Sequence, residues 1–243
     1  GPILALVYLQ FYPGAYKALF LLAFLPGSLA ILFTMLIREK QKEKAHAGKK
    51  PDFLDFLHYW RSSPKQYRQL VGALLAFALF NSSDVFLLLK IKDAGLSDQS
   101  VIGIYIFYNL VYALAAYPMG VLADRIGMKR VFVAGILLFA GAYAGMAFAA
   151  SWMAFVILFF LYGLFAAATE GVAKAWISNL SDQEHTATAI GTFTAFQSVC
   201  TLFASSLAGA IWYFAGPETS FLLSAAAAIG VVIYVSGLKY RHL

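Results

Sequence analysis

The residues best suited to chemistry lie where charge is least expected, inside long apolar runs. Asp84 follows Asn81, Ser82 and Ser83 in the stretch Leu70 to Leu89, which holds no other charged residue. A carboxylate at the centre of a spanning helix costs roughly 2.5–3.5 kcal/mol on the insertion scale. It must face protein or water, and it is a candidate to hold a proton, a cation or a solute. Read as one continuous helix, the stretch puts Asp84 about 21 Å from its Leu70 end, just past the bilayer midplane. Asn81 then lies one turn away on the same face. Glu170 and Lys174 stand at i and i+4, the spacing and order of an intrahelical ion pair. Asp84 and Glu170 differ in depth by about 10–15 Å, so no direct contact between them is expected. Each of these groups also has a plainer reading, as a hydrogen-bonded or paired structural residue.

Two polar stripes accompany them. Tyr105, Tyr108, Asn109 and Tyr112 share a helix face, as do Thr194, Gln197, Ser198, Thr201 and Ser205. Such stripes either line a cavity or join helices, the latter at about 0.6 kcal/mol per bond. Small residues such as Gly135, Gly141, Ala142 and Gly145 suit close helix packing. The single cysteine, Cys200, precludes an intrachain disulfide or a cysteine-based metal site. No phosphate-cradling loop, His/Cys metal spacing or nucleophile elbow is present, so the sequence reads as no enzyme, with no metal and no cofactor.

These residues are positioned by helices that need lipid. Hydrophobic residues make up 61% of the 243 and charged residues 12%, whereas a soluble domain needs about 25% charged. Runs of about 20 apolar residues, enough to cross the bilayer, occupy Ala18–Ile37, Leu70–Leu89 and Val101–Ala123. The uncharged run from Val131 to Thr169 is long enough for two, with a turn at Ala149–Trp152 and the second span reaching about Ile177. Thr186–Phe214 and Phe221–Leu238 complete seven spans. Gly1–Tyr12, about 18 Å as a helix, reads as the tail of an eighth. The net charge of +6 is concentrated in short connections, which points to headgroups rather than nucleic acid. Lys and Arg are richer in the loops at Arg38–Lys50, Arg125–Arg130 and Lys239–Arg241 than in the alternate set, which places those loops and the C-terminus in the cytosol. Between the first two spans, REKQKEKAHAGKK is a charged linker. After it Phe53, Phe56, Leu57 and Trp60 form the apolar stripe of a helix lying in the headgroup region; a docking site for a partner is the alternative.

The sharpest motif is Gly120-Val-Leu-Ala-Asp124-Arg125-Ile-Gly127-Met-Lys129-Arg130, between two spans. Gly120 allows close packing, and Gly127 allows the positive φ of a very tight turn. Arg125, Lys129 and Arg130 suit headgroups. Asp124 suits the unpaired amides at a neighbouring helix start, with Thr186 to Ala189 as the expected site. This run resembles the loop signature of the major facilitator superfamily, with Met128 in place of the usual first base. Other stretches resemble the same family: Gly14–Phe20 with Pro26-Gly27 its span six, Asn81–Asp84 span seven and Gly163–Asn179 span ten of a poorly characterised prokaryotic branch. Family members often carry Arg before span eleven, where this chain has His185; that leaves open the usual basic partner of the aspartate.

The resemblance implies an all-α polytopic bundle, the C-terminal six-helix half of that fold plus the preceding span. Residues 1–37 would be the end of span five and span six, 38–69 the cytosolic linker, and 70–243 the six-helix bundle. It implies a permease of the cell membrane that moves a small solute by alternating access, together with an N-terminal half. Asp84, Asn81, Glu170, Lys174, Asn109, Tyr112 and Gln197 are then the candidates for solute binding or ion coupling. Gly120, Asp124, Arg125, Gly127, Lys129 and Arg130 form the candidate conformational latch. Rival readings are a seven-helix receptor-like protein and a non-transporting structural module. A retinal protein is disfavoured because Phe221–Leu238 holds no lysine.

Overall fold

The computed structural model describes residues 2–12, 14–36, 55–182 and 184–238. The charged linker at 38–50 and Phe53, as well as the side chains of Phe56 and Leu57, lie outside the described residues. The chain divides into two compact units, 1–53 and 54–243. The first holds α1 (Pro2–Phe11) and α2 (Tyr16–Leu36), joined at Gly14, whose φ of 80° is left-handed. Leu21, Phe24, Leu25 and Met35 of α2 are exposed, as an apolar helix in lipid requires.

Among the described residues the second unit contains seven helices: α3 (Asp55–Ser62), α4 (Lys65–Ala78), α5 (Val85–Asp93), α6 (Asp98–Ile126), α7 (Met128–Phe148), α8 (Trp152–Asn179) and α9 (Thr186–Gly237). α9 is two spans in one run, broken at Gly216 (φ 86°, ψ 163°) before Pro217. Side chains start two of the helices. The Ser97 hydroxyl accepts from Ser100 N at the start of α6, and the Ser151 hydroxyl accepts from Ala154 N at the start of α8, both at 3.3 Å. Between α6 and α7 the whole connection is Gly127, with φ 100°, as the motif predicts; a side chain there would strain the turn.

One expectation fails. The stretch Leu70–Leu89 is not one helix: α4 ends at Ala78 and α5 starts at Val85, with a non-helical break through Asn81–Ser83. Asn81 is therefore not one helical turn from Asp84. Asn and Ser side chains compete for backbone groups and lower helix propensity, and here the competition is visible. Ser83 N donates to the Ser205 hydroxyl of α9 at 3.3 Å, and Val85 N donates to the Ser83 hydroxyl at 3.4 Å.

The core is aromatic and centres on α7 and α8. Phe139, Tyr143, Phe155 and Phe159 are fully buried, and the Phe139 and Tyr143 rings stack with centroids 4.0 Å apart. Close packing falls at Gly135, where a Cβ would meet Thr169 Cγ2 at 2.7 Å, and at Gly163, where it would meet Val111 Cγ1 at 2.8 Å. Gly120 and Gly141 differ from expectation, because nothing lies within 4 Å of a Cβ at either.

At the end of the unit that bears the Gly127 turn, here called the basic end, Lys129 Nζ donates to the carbonyls of Ser236 and Leu238 at 2.8 and 2.7 Å. A cation there complements the dipole of the last helix. α3 stops at Ser62, two residues before Pro64, and docks on the start of α9. The Tyr59 ring stacks on His185 at 6.1 Å, and Trp60 meets Phe196 edge-on at 5.6 Å. Trp60 thus packs on protein. The Tyr67 hydroxyl, at the foot of α4, donates to the Ala189 carbonyl at 2.8 Å. Burial, and then the nearby Tyr59, pushes the Tyr67 hydroxyl pKa well above its ordinary value. At the opposite end Lys90 of α5 pairs with Glu218 at 3.0 Å, and Lys92 pairs with Asp98. The backbone N–H of Glu218, and then the Lys90 ammonium, holds the Glu218 carboxyl below the usual range.

Candidate functional site

A cleft of about 200 Å³ opens between α4, α6, α8 and α9. Asp84 enters it at the start of α5, where the break turns the chain. Its Oδ1 accepts from the Tyr162 hydroxyl of α8 at 2.6 Å, a short charge-assisted bond. Tyr162 is buried and lies within the aromatic cluster, its ring 5.2 Å from Tyr108 and 5.3 Å from Phe165. The break is tolerated at membrane depth because it faces protein and a cavity rather than lipid. It is held by the Ser205 hydroxyl on one side and by Asp84–Tyr162 on the other.

Glu170, Lys174, Asn81 and Gln197 line the same cleft. The structure therefore gathers five of the seven expected residues around one space, with Asp84 and Glu170 making no direct contact among the described residues. The expected Glu170–Lys174 ion pair is absent. Glu170 Oε2 instead accepts from the Tyr112 hydroxyl of α6 at 2.9 Å, which ties the two helices together and leaves Lys174 exposed. Tyr112 thereby reaches the site through Glu170. Asn109 does not: its side-chain amide donates to the Tyr105 carbonyl one turn back at 2.8 Å, so it is satisfied within its own helix. Phe77, Tyr108, Phe132, Phe165 and Phe193 give the cleft aromatic walls. Among the described residues no group of three or more His, Cys, Asp and Glu could hold a metal ion.

Sequence reasoning missed Tyr162 and, with it, the partner of Asp84. The available signal was a phenol inside the uncharged run Val131–Thr169, since a buried tyrosine hydroxyl seeks a partner.

The Asp124 loop lies apart from this cleft. Asp124 is exposed and borders a groove between α6 and α8 with Ala116, Gly120, Ala123, Gly171 and Ala175. It makes no hydrogen bond to the amides of residues 186–189 among the described residues. The start of α9 is instead packed on α3 and α4 through His185 and Ala189. Arg125 and Arg130 are exposed.

The profile of the Major Facilitator Superfamily matches residues 69–242. An uncharacterized MFS-type transporter of Methanocaldococcus jannaschii is 29% identical over 244 residues, covering 98% of this chain and 58% of that protein. A putative niacin/nicotinamide transporter of Bacillus subtilis is 30% identical over 192 residues, covering 75% of this chain and 48% of that protein. The chain spans about half the length of the curated relatives it matches. Its long apolar helices, the Gly127 loop and this match agree: the chain belongs to the Major Facilitator Superfamily of multi-pass membrane transporters.

Proposed function

We propose that the complete transporter containing this chain moves a small solute across the cell membrane by alternating access, coupled to a proton or cation held at Asp84. The observation that carries the reading is the Asp84 carboxylate in an aromatic-walled cleft, held by Tyr162 at a break in a membrane-spanning helix. Discontinuous helices supply binding groups in many transporters, because freed backbone groups and helix ends converge there. Glu170 and Lys174, with Gln197, bind the solute in the same space, and Asn81 stands beside Asp84 at the break. The excess of Lys and Arg orients the basic end, and with it the C-terminus, toward the cytosol. The second half of the cavity wall comes from an N-terminal half of the transporter. Asp124, with no partner among the described residues, latches the basic end against that half. The family match over residues 69–242 favours this reading over a receptor-like or structural one.

The test is uptake by the complete protein in proteoliposomes, against a solute panel at several pH values and with sodium replaced by potassium. The panel includes nicotinate and nicotinamide, since one relative carries that putative assignment. Asp84→Asn should abolish the dependence of uptake on the driving ion. Unaltered ion dependence in that variant would remove Asp84 from coupling.

A further inference from the structure

We infer that the break in the α4–α5 span is a sodium site, built from the Asp84 carboxylate, the Asn81 side-chain oxygen, the Thr201 hydroxyl and backbone carbonyls of the break. The inference rests on the coupling role proposed for Asp84 and specifies the ion and its ligands.

The backbone comes first. Through the break, Leu79, Phe80 and Asn81 still donate back into the last turn of α4, and Ser83 donates to Ser205. None of the carbonyls from Ala78 to Ser82 accepts a hydrogen bond among the described residues. Backbone carbonyls inside a membrane span need a partner, which protein, water or an ion supplies. They also follow the C-terminal, negative end of the α4 dipole.

Three side chains border the same space. The Asn81 Oδ1 is buried and has no hydrogen-bond donor. Asp84 gives only Oδ1 to Tyr162, which leaves its second oxygen available. On α9, the hydroxyls of Thr194, Ser198 and Ser206 bond the carbonyl four residues back; that of Thr201 makes no such bond among the described residues. Asn81, Asp84 and Thr201 together line both the cleft and a second recess behind the break, which also touches Ser82, Ser83 and Tyr105. These three residues are thus the wall common to the two spaces.

The donor chemistry selects the ion. Every candidate ligand is a hard oxygen, which excludes soft transition metals. One carboxylate among neutral oxygens balances a single positive charge, whereas divalent cations gather more carboxylates. A proton satisfies Asp84 alone and leaves the Asn81 oxygen unpaired; a hard monovalent cation such as sodium can draw on both and on the carbonyls beside them. The charged and titratable groups around Asp84 are Tyr162, Tyr143 and Tyr108, with Glu170 and Lys174 farther along the cleft. Of these only Lys174 opposes a cation, and it is exposed.

The experiment measures equilibrium binding of radioactive sodium to the purified complete transporter, with potassium, calcium and acid as competitors. Saturable sodium binding is expected, displaced by acid but not by an equal concentration of potassium or calcium. Asn81→Ala and Asp84→Asn should each weaken it at least tenfold. Thr201→Val should weaken it several-fold while Thr201→Ser retains it, a rescue that a mere packing role does not produce. Monodispersity on size exclusion identifies variants that fold, and Thr201→Val carries the test if Asp84→Asn does not. Absent sodium binding in the wild type overturns the site; so does binding that all the variants leave unchanged, or that calcium displaces. If sodium fails to bind but uptake still follows pH and Asp84→Asn abolishes that dependence, the site falls and coupling through Asp84 stands as proton coupling. If neither sodium nor pH acts through Asp84, both readings fall.

Discussion

At the scale of single residues, the polar atoms inside the apolar runs identified themselves by being there. Asp84, Glu170, Lys174, Asn81 and Gln197 were legible because each violates the composition of its surroundings, and the fold brings them to one cleft. Their partners were less legible. Asp84 and Tyr162 are 78 residues apart, and nothing local to either names the other. Glu170 had a local partner on paper in Lys174, but the tertiary donor Tyr112 takes the carboxylate instead. Tyr162→Phe is expected to destabilise the complete transporter in detergent by about 1.5–3 kcal/mol, the worth of a hydrogen bond to a charged group. Thermal unfolding measures it, and no shift in midpoint would mean that the bond contributes nothing. Asp124→Asn should shift the complete transporter toward its inward-open state, raising the accessibility of cysteines introduced at the basic end without changing solute affinity within that state. Equal labelling rates in variant and wild type would remove the latch role.

Among the elements, length and apolarity set the spans and Gly127 set the tightest turn, but the interruption of the α4–α5 span was hidden. No proline or glycine marks it, and the flanking leucines and phenylalanines outweigh Asn81-Ser82-Ser83 in any average over 20 residues. The deciding contacts, Ser205 and Tyr162, come from helices far along the chain. The docking of α3 was half visible: its apolar stripe was readable, its seat on α9 was not. Tyr67 fixes the neighbouring α4 to that seat through Ala189. Tyr67→Phe should cost about 1 kcal/mol. The contribution also has a pH signature. Because the folded state raises the Tyr67 pKa, the protonated phenol's contribution is intact below its ordinary value of about 10 and declines as pH rises above it. Unfolding midpoints that fall in parallel for wild type and Tyr67→Phe between pH 9 and 11, two values chosen around that about-10 pKa, would show that Tyr67 is not responsible.

For the molecule as a whole, composition settled the solvent and the all-α class, and the Asp124–Arg130 motif pointed to the family that the profile over residues 69–242 establishes. The proposed transport cycle adds a second wall to the cleft around Asp84, because an alternating-access site needs a moving partner to close it. Vesicles reconstituted with these 243 residues alone are expected to show no saturable uptake, whereas the complete protein does. Saturable uptake by the chain alone would mean that two copies form the cavity.

The divided α4–α5 span has one more consequence, in how the protein is made. α4 and α5 contain 14 and 9 residues, each too short to cross a bilayer that takes about 20, and the linking segment is polar. As it leaves the ribosome this span carries Asp84 without its partner, at a cost of roughly 2.5–3.5 kcal/mol near a helix centre. The groups that make its break tolerable, Tyr162 and Ser205, have not yet been synthesised. Its stable residence in the membrane is therefore expected to await the C-terminal helices, out of the order of translation. Glycosylation mapping on chains truncated after Phe148 and after Asp182 exposes the difference: the 70–89 stretch should remain partly on the side of synthesis in the shorter chain and cross fully in the longer. Full crossing in both would show that the stretch inserts without help from α8.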